Sequence, residues 1–253
     1  MLIRFQDKTS VSSCQVTPPH NPRLVIPLRD NAPTRRFPLV TVGLIAANVL
    51  VYVLVQHGAL DVPQKPVDEW AFHPCEVEGS CGVVGHGWLA TAFTSMFLHA
   101  DLLHLGGNML FLWIFGNNVE DAFGRVRYLL FYVLGGLAAT ALQTVITLRV
   151  GSELAAQIPN LGASGAISAV LGAYFVLLPG ARVLTLIFLF LVEIPAWIFL
   201  LVYIGFQLWQ GGFQLQHPPE GGGVAVFAHI GGFLFGFALA RTFQTRRPLQ
   251  PRW

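Results

Sequence analysis

Six stretches of the chain carry almost nothing but apolar residues, and the polar residues gather into blocks between them. The stretches are 37–56, 99–118, 128–148, 161–178, 193–210 and 224–241. A bilayer core takes roughly 20 consecutive apolar residues as a helix. Each stretch is therefore predicted as a membrane-spanning helix; the fourth and sixth are slightly short, with one end below the bilayer surface. None shows the period-2 alternation of a barrel strand, so the pattern predicts an all-α membrane protein, a six-transmembrane-helix bundle. Residues 1–36 are polar, with Pro18, Pro19, Pro22, Pro27 and Pro33, and read as a disordered segment with no signal-peptide apolar core. Residues 242–253 read as a basic tail. The run 184–192, LTLIFLFLV, is apolar without a readable period: it lies in the membrane interface or lengthens the fifth helix.

Composition agrees. Charged residues make up 11% of the 253, against about 25% in a soluble domain, and the mean hydropathy is +0.59. A net charge of +2 and the lack of a basic cluster interleaved with aromatics exclude nucleic acid as a partner. Of the 15 Lys and Arg residues, all but Lys65 and Arg149 fall in 1–36, 119–127, 179–183 and 241–253. An alternating topology puts those four segments on one side, which the positive-inside rule makes cytoplasmic, with both termini. The second, fourth and sixth helices then all begin at the outer face, and residues early in each lie at similar depth.

At that depth stand the candidate chemical groups. The second helix opens HADLLHLGGNMLFLW, and its His104 and Asn108 share a face at i, i+4. The fourth opens with Ser164, and the sixth places His229 about 7–8 Å below its start at 1.5 Å per residue. Strongly polar groups within spans are functional candidates by default. A serine hydroxyl attacks a carbonyl only when a base takes its proton, and a neutral imidazole is the usual base. Gly232, Gly236 and Ala240 below His229, facing Gly165, Ala169 and Gly172 of the fourth helix, allow those helices to approach closely. The oxyanion formed on attack needs donors, which the Asn108 amide, the His104 ring and the free N–H groups opening the fourth helix supply. These parts predict peptide-bond hydrolysis by a Ser164–His229 dyad. Asp101 reads as the N-cap of the second helix rather than as a third member.

The motifs resemble the rhomboid intramembrane serine proteases: GASG around Ser164, HLGGN with His104 and Asn108, and AHIGGFLFG with His229. FGNNVED at 115–121 and EIPAW at 193–197 extend the match, which runs from about PLRDNAPTRRFP at 27–38 to the end of the sixth helix. The resemblance implies a six-helix protease domain over 37–241 in the cell membrane, its active site opening toward the extracytoplasmic side. It implies transmembrane or membrane-associated proteins as substrates, with Ser164 as nucleophile and His229 as base. His104 and Asn108 would form the oxyanion hole, with Gly162 beside it. No cofactor and no metal is implied. The alternative is a catalytically inactive relative that binds membrane proteins; such relatives typically lack the serine or the histidine, and this chain keeps both.

Other polar residues read as structural. Ser168, one turn beyond Ser164, is expected to bond back to a helix carbonyl. Glu193 is expected to cap the fifth helix. Glu120 and Asp121 are expected to pair locally with Arg125 and Arg127. Cys75 and Cys81 lie in an outer, oxidising loop and form a disulfide in the favoured reading; with His73 and His86, a zinc site is the alternative. Cys14 reads as a free cytoplasmic thiol.

Overall fold

The computed structural model describes residues 25–57, 67, 69–81, 86–216 and 225–250. The disorder expected of 1–24, the thiol of Cys14, and the last three residues of the basic tail lie outside the described residues. The longer helices are α1 (Leu39–Leu54), α2 (Leu102–Phe123), α3 (Arg125–Val150), α4 (Ser164–Leu177), α5 (Ala196–Gln216) and α6 (Val226–Phe243). By length and composition α3, α5 and α6 are able to cross a membrane, while α1 and α4 are shorter apolar helices. The 14 residues of α4 rise about 21 Å, less than the ~30 Å of a bilayer core.

The chain is not all-α. Three antiparallel strands, β1 (Val25–Asp30), β2 (Arg182–Ile187) and β3 (Phe190–Pro195), form a sheet in the order β1-β2-β3. The 184–192 run is thus a hairpin, with Ile187 opposite Phe190 and Arg182 opposite Pro195. Its turn at Phe188 has φ 56° without a glycine, so the usual turn signal is missing from the sequence. β1 falls within the segment expected to be disordered. It is ordered by its ladder to β2, from Val25–Ile187 to Asp30–Val183, a partner about 150 residues away that no local pattern reveals. Glu193 lies in β3 and pairs with Arg182 at 3.7 Å, so it is not the cap of α5.

Helix α4 occupies the centre: every residue from Gly165 to Tyr174 is buried, and α2, α3, α5 and α6 all touch it. The α4–α6 contact is backbone on backbone. A Cβ at Gly232 would overlap the Gly165 carbonyl oxygen, one at Gly236 the Ala169 carbonyl oxygen, and one at Gly172 the Phe233 carbonyl oxygen. On the other side, a Cβ at Gly135 of α3 would overlap Ala169. Such contacts are open only to the smallest residues.

The helix ends are tied by buried polar groups. Gly124, at φ 77°, lets α2 turn directly into α3. Glu120 of α2 accepts from the Val40 and Thr41 N–H groups at 3.0 and 2.8 Å and from the Thr41 hydroxyl at 2.8 Å. It thereby caps the N-terminus of α1 with a negative charge where the helix dipole favours one. Asp121 pairs with Arg35 at 3.2 Å. The partners of both acids lie some 80 residues upstream, not at Arg125 and Arg127 as expected. At the end of α4 remote from Ser164, Asp30 accepts from Tyr174 Oη at 2.5 Å and Asn118 Nδ2 at 2.7 Å.

Glu120→Ala leaves the buried Thr41 N–H and the part-buried Val40 N–H without their acceptor. It is expected to cost on the order of 2–4 kcal/mol, read as a lower thermal midpoint in detergent; an unchanged midpoint would show that the cap contributes nothing. Burial pushes the Asp30 carboxyl up to about 6, against the lowering pull of the Tyr174 hydroxyl. The folded state therefore favours the protonated acid. Its contribution is complete below the ordinary carboxylate range and is lost as pH rises through about 6. Relative to Asp30→Asn, the native protein should lose thermal stability between pH 4 and 6.5; parallel curves for the two proteins would contradict this.

Candidate active site

The loop leading into α4 is pinned before it delivers its serine. Asn160 N–H donates to the Phe72 carbonyl at 2.7 Å, and Gly162 N–H to the Ser95 carbonyl at 2.9 Å. Gly162 itself has φ 117°, and a Cβ there would sit 2.8–2.9 Å from the His104 ring. Only glycine combines that backbone conformation with that clearance. After Ala163 the helix begins at Ser164, and its first interior bond is Ile167 N–H to the Ala163 carbonyl at 3.0 Å. The N–H groups just before Ile167 therefore face outward at the positive end of the helix.

The close α4–α6 packing sets Ser164 Oγ 2.8 Å from His229 Nε2. On the other side of the serine, α2 carries His104 and Asn108 one turn apart. Asp101 caps α2 through the His104 N–H at 2.7 Å, the role expected of it. The His104 Nδ1 accepts from the Ala100 N–H at 3.3 Å, which leaves Nε2–H as the ring's free donor. The Asn108 Nδ2 is buried and makes no hydrogen bond. A buried amide donor without a partner is costly, and here it lines the same cavity as Ser164 and His229.

That cavity, of about 220 Å³, lies between α2, α4 and α5, with Phe111, Ile167, Leu171 and Tyr203 forming its apolar wall. A smaller cavity of about 30 Å³ lies against Ser164 from the α3 side, bordered by the polar residues Ser95, Thr140, Gln143 and Asn160. It has room for one water. Ser168 donates to the Ser164 carbonyl at 2.8 Å, as expected of it, and its hydroxyl also meets Tyr203 Oη at 2.7 Å.

One residue of the constellation escaped the sequence reading. Gln207 of α5 is buried, and its Oε1 lies 3.1 Å from His229 Nδ1. A signal was present, since Gln207 is a strongly polar side chain within the apolar stretch 193–210. His99 is buried against the His104 ring, edge to face at 5.1 Å, and packs there rather than joining the cavity. Cys75 and Cys81 are joined in a disulfide. No cluster of three or more metal-ligating side chains exists among the described residues.

A rhomboid domain model matches residues 86–246. Rhomboid protein 1, mitochondrial, of Saccharomyces cerevisiae is 31% identical over 157 residues, covering 60% of this chain and 42% of the relative. Rhomboid protease GluP of Bacillus subtilis is 31% identical over 163 residues, covering 64% and 27%. Presenilin-associated rhomboid-like protein, mitochondrial, of Bos taurus is 27% identical over 219 residues, covering 83% and 52%. The matches thus span between about a quarter and a half of these relatives' own lengths. The chain belongs to the rhomboid family.

Gly162→Ala is expected to force the His104 ring aside and strain the turn before Ser164. Reaction with a serine-directed fluorophosphonate should slow on the order of 10²-fold, with the thermal midpoint falling by only a few degrees. Labelling at the native rate would show that the clearance between Gly162 and His104 is not needed.

Proposed function

We propose that the protein is an intramembrane serine endopeptidase that hydrolyses peptide bonds of transmembrane or membrane-associated proteins. The observation that carries this reading is the 2.8 Å contact of Ser164 Oγ with His229 Nε2, beside the unpartnered Asn108 amide in one cavity. In the proposed topology all six long helices span a cell membrane, and the domain covers 37–241 between a polar N-terminal segment and a basic tail. Both termini lie on the cytoplasmic side, where the Lys and Arg residues concentrate, so the site opens toward the extracytoplasmic face. The short α4 then starts below the bilayer surface, and water reaches Ser164 from that side.

The chemistry follows from the distances. Ser164 Oγ attacks the scissile carbonyl carbon while its proton passes to His229 Nε2. The new oxyanion is held by Asn108 Nδ2–H, His104 Nε2–H and the N–H groups at the start of α4, all fixed before reaction. Collapse breaks the C–N bond, and the leaving amine takes the proton from His229. A water, for which the small cavity beside Ser164 has room, then gives its proton to His229 and attacks the acyl carbon, releasing the acid and restoring Ser164.

Purified protein in detergent or liposomes should cleave a model transmembrane substrate. Ser164→Ala and His229→Ala should each lose essentially all activity, on the order of 10³-fold or more, with midpoints intact. Asn108→Ala should lose about 10²–10³-fold, mainly in kcat. Cleavage that survives Ser164→Ala would overturn the assignment. A native protein that cleaves no member of a substrate panel and takes up no fluorophosphonate would instead be a membrane-protein-binding relative.

A further inference from the structure

A serine–imidazole pair works only in one of the two neutral tautomers. Nε2 must present its lone pair to the serine hydroxyl, so the ring proton must sit on Nδ1. Something has to hold it there. Among the described residues the His229 ring hydrogen-bonds to Ser164 through Nε2 and to Gln207 Oε1 through Nδ1, and no carboxylate reaches it. An amide oxygen only accepts, so this contact requires Nδ1–H. It fixes the tautomer and the ring plane without bringing a buried charge into an apolar bundle, where desolvation would be costly.

The placement of Gln207 is consistent with that role. The buried residues of α5 are Ala196, Leu200, Gln207 and Gly211, so the glutamine lies on the inward face of the helix. The opposite face exposes Leu201, Val202, Leu208 and Trp209. One turn before Gln207, Tyr203 Oη meets Ser168 Oγ at 2.7 Å, and Ser168 donates to the Ser164 carbonyl at 2.8 Å. Two polar links one turn apart thus hold α5 in register with the nucleophile helix at one end and the base at the other.

We infer that Gln207 is a positioning residue for His229, holding its imidazole as the Nδ1–H tautomer; its kinetic consequences rest on the protease reading above, its effect on the ring does not. The test pairs Gln207→Leu, which keeps the bulk and removes the acceptor, with Gln207→Glu, which restores an acceptor and adds charge. The first readout is nitrogen-15 NMR of labelled histidine in detergent, with His229 assigned by its loss in His229→Ala. The native protein should show His229 as a single Nδ1–H tautomer and Gln207→Leu a mixture of the two. In cleavage assays Gln207→Leu should lower kcat on the order of 10²-fold with KM nearly unchanged. Gln207→Glu should recover much of that loss, with the acidic limb of its pH profile moved to higher pH, since a carboxylate favours the protonated ring. His104 and Tyr203 are the other titratable side chains lining the same cavity, and neither variant alters them.

An unchanged tautomer in Gln207→Leu, or kcat within twofold of native, overturns the inference. Should Gln207→Leu fail to fold, Gln207→Glu decides alone through the position of its acidic limb, and an unshifted limb counts against the role. If the native protein proves inactive, the NMR readout still stands by itself: a tautomer change without any cleavage would sink the protease reading while leaving the positioning role intact.

Discussion

Everything at the site depends on how closely α4 and α6 approach. Their backbones meet at Gly165, Ala169 and Gly172 on one side and Phe233, Gly232 and Gly236 on the other, where a single added methyl would collide with a carbonyl oxygen. Side chains normally hold helix axes 8–10 Å apart, and removing them lets the helices come closer. The 2.8 Å distance between Ser164 and His229 is the end point of that stripe. It is set by main chain rather than by flexible side chains, so the proposed proton transfer would need little reorganisation. A residue that widened the stripe would separate the pair without touching either member.

No carboxylate is hydrogen-bonded to either member of the pair among the described residues. Two imidazoles, a serine, two side-chain amides and the free N–H groups of a helix start make up the constellation, and the nearby acid, Asp101, is used as a cap on α2. In an apolar interior dipoles are far cheaper to bury than charges, and the donors gain strength from the same low dielectric. A second set of titratable groups ties the other end of the bundle together. There Glu120 caps α1, Asp121 pairs with Arg35, and Asp30 ties β1 to Tyr174 and Asn118. Amide, hydroxyl and imidazole groups thus gather at the start of α4, and a carboxylate framework holds its finish.

Much of this was legible in the sequence, for physical reasons. The apolar stretches announce the helices by length, and the small-residue face of α6 announces a close contact. A serine, an asparagine and two histidines stand out because polar groups within apolar runs are expensive. Asp101 and Ser168 were readable as local hydrogen-bonding residues, since their partners lie within four positions. What could not be read depends on distant partners. β1 is a strand only because β2 pairs with it, and the β2–β3 turn at Phe188 carries no glycine or asparagine. Local pairing would give Glu120 and Asp121 partners next to them in sequence, while their partners in the fold precede them by about 80 residues. Gln207 is a strongly polar residue in an apolar stretch, but its partner His229 lies 22 residues on, in another helix.

The proposed activity requires Ser164 to act as a nucleophile whose developing oxyanion faces His104 and Asn108. The most direct measurement is a crystal structure of the protein after reaction with a small fluorophosphonate. The expected result is phosphorus bonded to Ser164 Oγ, with the phosphonyl oxygen within hydrogen-bond distance of Asn108 Nδ2 and His104 Nε2. Phosphorus on another residue, or a phosphonyl oxygen turned away from both donors, would contradict it.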